Sequence, residues 1–234
     1  MNVRSPATGV VGDFQAVGFF PAEVNLEGFD GVVITGRSAR PVYLAILHGE
    51  YALRDASHLA GKTIGEVEAL LKAEVGDPKA EVMQHGPAAE RGVLFSSIVN
   101  MANRNAGRTG MGLVMASKNL RAIVVRGKQR VTIADPVGLG TLRKSGPSLM
   151  KENPDIDGLG TFGTAGLMTL QDMNGTQPTF NYNEGRFAGA EAISGETMAA
   201  TVPKDRDTCY SCDGGCTGDG GITQSQHRGP PPTR

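Results

Sequence analysis

The sequence predicts an α+β protein: a β-rich N-terminal domain followed by the beginning of a helical domain. Three observations carry that reading. Short β-branched runs bounded by glycine dominate residues 1–133. The pattern turns helical, with long loops, after Pro136. Glycine makes up 33 of 234 residues, about twice its usual share of roughly 7%, so the connections are turn-rich.

In the first part, Gly31-Val-Val-Ile-Thr-Gly36 and Val42–Leu47 read as strands. His48-Gly49-Glu50, ahead of Tyr51-Ala52-Leu53, reads as a hairpin turn. A helix is expected over 64–75, with Thr63 as N-cap and Glu66 completing a capping box. Its apolar stripe is Ile64, Val67, Leu70, Leu71 and Val75, and Gly76-Asp77-Pro78 stops it. Further strands are expected at 81–84, 93–99 and 120–126. Beyond Pro136, helices are expected at 164–173, ended by Asn174-Gly175, and at 195–201. From Thr217 the chain holds four glycines, three successive prolines and one apolar residue, Ile222. Such a tail cannot supply a packed face and reads as disordered.

Composition excludes several classes. The 23 basic and 24 acidic side chains give a net charge of −1, which argues against a nucleic-acid binder or a polybasic membrane-surface protein. No run approaches the roughly 18 apolar residues of a transmembrane helix, and the first residues lack the apolar stretch of a secretory signal. The expected location is the cytoplasm.

All three cysteines, Cys209, Cys212 and Cys216, lie within eight residues, spaced C-x2-C-x3-C. An odd, clustered set is no disulfide framework and reads first as metal ligation. Three thiolates from one loop suit three corners of a cubane iron–sulfur cluster, and Gly214 and Gly215 leave amides free to bond sulfur. Zinc competes, with His227 as the only nearby fourth ligand, and chance cysteines without metal, or an adventitious Cys209–Cys212 disulfide, are the third reading.

Two glycine-rich stretches stand out. Asn103–Gly112 packs Arg104 and Arg108 among three glycines, either as an anion- or cofactor-binding loop or as a plain turn. Gly12–Pro21 sets aromatic residues beside glycine and reads first as a core turn, with a flat pocket shaped by those aromatics as the alternative. The four histidines follow no metal spacing and read as ordinary core or surface residues. The basic residues Lys118, Arg121, Arg126, Lys128 and Arg130 bracket a strand, either as a docking patch or as a solvated edge.

Taken in order, these stretches resemble the tungsten-containing aldehyde ferredoxin oxidoreductase family. The marks are Ser5-Pro-Ala-Thr-Gly9, Gly18-Phe-Phe-Pro-Ala-Glu23, Gly28-Phe-Asp-Gly-Val-Val-Ile-Thr-Gly36, Pro41-Val-Tyr43, Arg54-Asp-Ala-Ser-His58 and Gly86-Pro-Ala88. Ala106-Gly-Arg-Thr-Gly-Met-Gly112 continuing to Ile123, Gly160-Thr-Phe-Gly-Thr-Ala165, Ser194-Gly-Glu196 and the cysteine loop follow. The resemblance spans about residues 4–218.

It implies a β-rich base domain on which a tungsten (or molybdenum) bis-pterin lies, and a [4Fe-4S] cluster bound by Cys209, Cys212 and Cys216. Arg104, Asn105 and Gly107 match the pterin-contacting stretch, with Asn105 where alanine is usual. Gln15, Ala16 and Val17 fall where the family shows Asn-Ser-Gly. Its members oxidise aldehydes to carboxylic acids and pass electrons to ferredoxin, and a homodimer is possible. The fourth cluster cysteine and the acid/base groups near the metal have no match here, so no catalytic residue is assigned. The implied domains are 1–133, 134–216 and a tail at 217–234, and the expectation is a truncated or frameshifted reading frame. A non-catalytic iron–sulfur or zinc module, or an accessory subunit, is the alternative.

Overall fold

The computed structural model describes residues 1–129, 131–201, 204–212 and 217–220. The described residues divide into two compact units, one of Met1–Thr132 and one that begins at Ile133.

The first unit opens with β1 (Asn2–Arg4) and β2 (Val11–Asp13), an antiparallel pair, followed by α1 (Phe20–Leu26). Next come β3 (Val42–Leu47), β4 (Glu50–Asp55), α2 (Ile64–Val75), β5 (Glu81–His85) and α3 (Pro87–Glu90). The unit closes with β6 (Ile98–Asn100), β7 (Arg104–Ala106), α4 (Met111–Ser117) and β8 (Leu120–Arg126). Six strands form one mixed sheet in the order β4-β3-β8-β5-β6-β7. β8 lies parallel to β3 and antiparallel to β5. Leu120–Val125 are all buried, as expected for a central strand covered on both faces.

The period-2 alternation of side chains sorts the core into two layers. Tyr43 and Ala45 of β3 and Ala122 and Val124 of β8 pack with Val67 and Leu71 of α2. Val42, Ile46, Ile123 and Val125 face the other way, onto Phe20, Met111 and Met115. Helix α2 forms where the sequence places it. Thr63 caps it, Glu66 reaches back to the Thr63 N–H at 2.8 Å, and Gly76 ends it at φ 72°. Its stripe is narrower than expected, since Leu70 is 40% exposed.

Two strand expectations change. The 93–99 run is mostly loop, and only Ile98–Asn100 pairs, because the turn after α3 occupies its first half. Gly31–Gly36 joins no sheet and is exposed throughout. The hairpin at 48–49 forms with φ of 56° at His48 and 88° at Gly49, a twist that suits a two-residue connection.

The second unit is helical at first: α5 (Pro136–Lys151), α6 (Pro154–Phe162), α7 (Leu167–Met173) and α8 (Gly195–Thr201). The helix expected at 164–173 begins as a 3-10 turn over Thr164–Gly166, and Gly175 follows its end at φ 69°. A Cβ on Gly195 would lie 2.5 Å from the Gly166 nitrogen, so α8 needs glycine to sit against that turn. β9 (Lys204–Asp207) and β10 (Thr217–Gly220) pair antiparallel, with the cysteine loop between them. Residues 221–234, with His227, lie outside the described residues, as does Arg130.

Candidate functional site

The two glycine-rich stretches, about 90 positions apart, meet in the first unit. A Cβ on Gly12 would sit 2.6 Å from that of Thr109. One on Gly18 would sit 2.5 Å from Asn100 Oδ1 and 2.7 Å from Met101 Sδ. The Phe19 N–H donates to Met101 Sδ at 3.3 Å. Gln15, Ala16 and Val17 therefore span a short arch whose two ends rest on the 100–109 segment. Gly18 has φ 115°, a conformation open to glycine and little else.

Within the arch, Gln15 and Val17 are exposed, while Ala16 packs against the core beside Phe14 and Val24. Opposite it, Arg104 is buried, and its Nη1 donates to Asn103 Oδ1 at 3.0 Å. Asn105 and Gly107 are exposed, with Ala106 tucked into the core between them. The structure thus presents Gln15, Val17, Asn105 and Gly107 to solvent and holds Arg104 beneath as a fixed cation. An amide, a backbone open at glycine and a buried guanidinium suit a polar, partly anionic planar ligand.

Sequence reasoning overlooked Asn100. It is 2% exposed, and its Oδ1 has no hydrogen-bond partner. Only the apposed Gly18 betrays that position. The glycines at 110 and 112 serve packing instead. A Cβ on Gly110 would run into the Leu94 carbonyl and one on Gly112 into that of Ser97, and the Gly112 N–H donates to Ser96 O at 3.0 Å.

Two of the basic residues near β8, Arg121 and Arg126, are engaged inside the first unit, while Lys128 is exposed and Arg130 lies outside the described residues. The β3–β8 register steps from Val42–Leu120 to Tyr43–Ala122, which leaves Arg121 opposite no residue of β3. Arg121 is buried. It donates to the His85 and Lys62 carbonyls and pairs through Nε with Glu90 at 3.2 Å. Burial holds His85 toward its neutral form. A cavity of about 370 Å³ opens beside this group, walled by Ala56, Ala60, Ala89 and Ala116. At the other end of β8, Arg126 pairs with Glu23 and Asp77, both at 2.9 Å. Arg121 is thus tied inside the unit and the partly buried Arg126 is clamped by two carboxylates.

In the second unit, the Cys212 N–H donates to the Cys209 carbonyl at 3.1 Å, and Ser211 between them has φ 52°. This is the tight curl that two residues between ligands allow. Cys209 is half-buried and Cys212 exposed, and no disulfide joins them. Cys216, with Gly214 and Gly215, lies outside the described residues. Among the described residues no group of three metal-ligating side chains assembles.

A family model described as aldehyde ferredoxin oxidoreductase, N-terminal domain, matches residues 1–127, and one for domains 2 and 3 matches residues 142–232. The chain is 40% identical over 214 residues to the tungsten-containing aldehyde ferredoxin oxidoreductase of Thermococcus kodakarensis, covering 91% of this chain and 35% of that protein. Against the tungsten-containing aldehyde ferredoxin oxidoreductase of Pyrococcus furiosus the identity is 38% over the same shares. A WOR-like subunit of an aliphatic sulfonate oxidoreductase from Pyrococcus furiosus is 34% identical over 141 residues, 53% of this chain and 22% of that protein. The solved active-site complex BamBC of benzoyl coenzyme A reductase, bound to 1,5-dienoyl-CoA, matches at a TM-score of 0.75 and 28% identity, covering 95% of this chain and 36% of that one. The chain spans about a third of the length of the tungsten-containing relatives. It belongs to the aldehyde ferredoxin oxidoreductase family, a family of oxidoreductase enzymes.

Proposed function

We propose that this chain supplies the pterin-seating base and three cluster thiolates of an enzyme that oxidises aldehydes to carboxylic acids. The observation that carries the reading is the apposition of the Gln15–Val17 arch and the Arg104–Gly107 strand end, held together by Gly12 and Gly18. Both stretches are the ones that resemble the family's pterin contacts.

In this reading Gln15, Val17, Asn105 and Gly107 line the seat, and Ala16 fixes the arch to the core. Arg104 offers its charge from below. When bound, the tungsten (or molybdenum) bis-pterin supplies the two-electron chemistry, which the protein orients and tunes. Cys209, Cys212 and Cys216 would hold a [4Fe-4S] cluster, which would supply one-electron chemistry toward ferredoxin as the outside acceptor. The Cys209–Cys212 curl fits two adjacent ligands of such a cluster. No acid or base of this chain is assigned to the reaction, and the chain alone is expected to be inactive.

The test is anaerobic purification followed by reconstitution with iron and sulfide. Visible charge-transfer absorbance and a paramagnetic signal on reduction are expected, both lost in Cys212→Ser. Colourless protein without such a signal would overturn the cluster assignment, and stoichiometric zinc would replace it with a structural zinc domain. For the seat, Arg104→Met should lose pterin fluorescence in the denatured supernatant while keeping its circular dichroism. Full retention of pterin would overturn that assignment.

A further inference from the structure

The cavity beside Arg121 lies wholly within the first unit and shares no residue with the Gln15–Val17 arch or with Arg104–Gly107. Its volume of about 370 Å³ falls in the range of small-molecule sites, roughly 300–1,000 Å³. Four alanines, at 56, 60, 89 and 116, wall it with methyl groups, and Gly92 adds bare backbone. Their small size keeps the space open. Arg121, only 3% exposed, supplies the polar part of the lining. Its Nη1 and Nη2 donate to the His85 and Lys62 carbonyls. Its Nε is buried and makes no hydrogen bond. Glu90 Oε1 stands 3.2 Å away but out of line for one, while Glu90 Oε2 accepts from the Gly61 N–H at 2.8 Å. Buried donors are nearly always paired, so this N–H calls for an acceptor. The charged groups on the lining are Arg121, Arg37 and Glu90, and burial holds His85 toward its neutral form. Two cations against one carboxylate leave a single positive charge.

We propose that this cavity is a binding site for a small monocarboxylate with a short apolar body. The carboxylate accepts from the Arg121 Nε–H and balances the surplus positive charge, and the apolar body lies along the alanine methyl groups. One negative charge fits and two do not, because Glu90 shares the lining and repels the excess. An inorganic anion has nothing to set against the methyl walls. The site is independent of the cofactor seat, with which it has no residue in common.

Titration of the 15N-labelled chain with hexanoate, followed by amide chemical shifts, tests it. The amides of Ala89, Gly92 and Ala116 should move saturably, with a Kd on the order of 1 mM for a ligand of this size. Hexanamide, which keeps the shape and lacks the charge, and inorganic phosphate, which keeps the charge and lacks the apolar body, should each bind at least about tenfold more weakly. Two variants locate the ligand. Ala116→Leu fills the slot from a half-buried position on α4 and should weaken hexanoate at least about tenfold while leaving the urea midpoint in place. Arg37→Gln, at an exposed position, should weaken it about threefold without touching the fold. The absence of saturable movement would overturn the proposal, as would hexanamide or phosphate binding as tightly as hexanoate. Undiminished affinity in folded Ala116→Leu would put the ligand elsewhere and overturn it too. Should that variant fail to fold, undiminished affinity in Arg37→Gln would count against the charge balance on which the proposal stands.

Discussion

Glu81 sits at the start of β5, against α2, with its carboxyl pushed up to about 7. Burial is the chief cause, outweighing the attraction of Lys72, and the nearby carboxylates of Glu68 and Glu23 add to it. Its Oε2 and that of Glu68 are both buried without a partner. An acid whose folded value exceeds its unfolded value of 4.5 binds its proton more tightly when folded. Its contribution is therefore complete below pH 4.5 and is lost as pH rises through about 7. We predict that the urea midpoint falls between pH 5 and 8 and that Glu81→Gln flattens the change. An equal slope in the variant would assign it elsewhere. Asp55, Glu66 and Asp77 act in the opposite sense. Hydrogen bonds from Ser57, Thr63 and Lys79 respectively lower their values, so their stabilisation is lost only as pH falls below the ordinary carboxylate range. At the arch, Gly18→Ala meets both a positive φ and the Asn100 and Met101 side chains, and should cost about 2 kcal/mol by denaturant titration. A neutral result would show that the arch is not held as described.

Helix α2 shows how local and tertiary terms combine. Its cap is local: Thr63 and Glu66 satisfy the first turn whatever lies beneath. Thr63→Ala should cost about 1 kcal/mol, read from the urea midpoint. Its buried face is tertiary. Val67 and Leu71 are fully buried against Tyr43, Ala122 and Val124, whereas Leu70 is half-exposed. Leu71→Ala should cost about 3 kcal/mol and Leu70→Ala well under half of that, so equal costs would refute the packing. The stripe Ile64, Val67, Leu70, Leu71 and Val75 is readable from spacing, but which of its members reach the sheet is not. That depends on the sheet's twist and on the small alanines at 45 and 122.

The whole molecule is two compact units joined through a fully exposed stretch, 131–136. Brief proteinase K digestion should cut there first and leave two resistant fragments, identified by mass. First cleavage inside β3 or β8 would contradict the division. At this scale the change of pattern near Pro136 is legible, because hydrophobic periodicity shifts from 2 to about 3.6. The six-strand order is not, since β8, the last of the six in sequence, lies between β3 and β5, and only long-range pairing decides that. No helix of the described residues is long and apolar enough to cross a membrane.

The sequence by itself determined the elements with local physics. These are the capped helix α2, the His48-Gly49 hairpin, the central apolar strand β8 and the Cys209–Cys212 curl, where each residue's own geometry or its near neighbours decide the outcome. Tertiary structure decided the rest. It buried Arg121, paired the partly buried Arg126 with Glu23 and Asp77, left Gly31–Thr35 unpaired, and brought Gly18 against Asn100 to place two remote stretches on one surface. The physical reason is that burial and long-range pairing depend on what arrives opposite a residue, and one-dimensional spacing does not encode that.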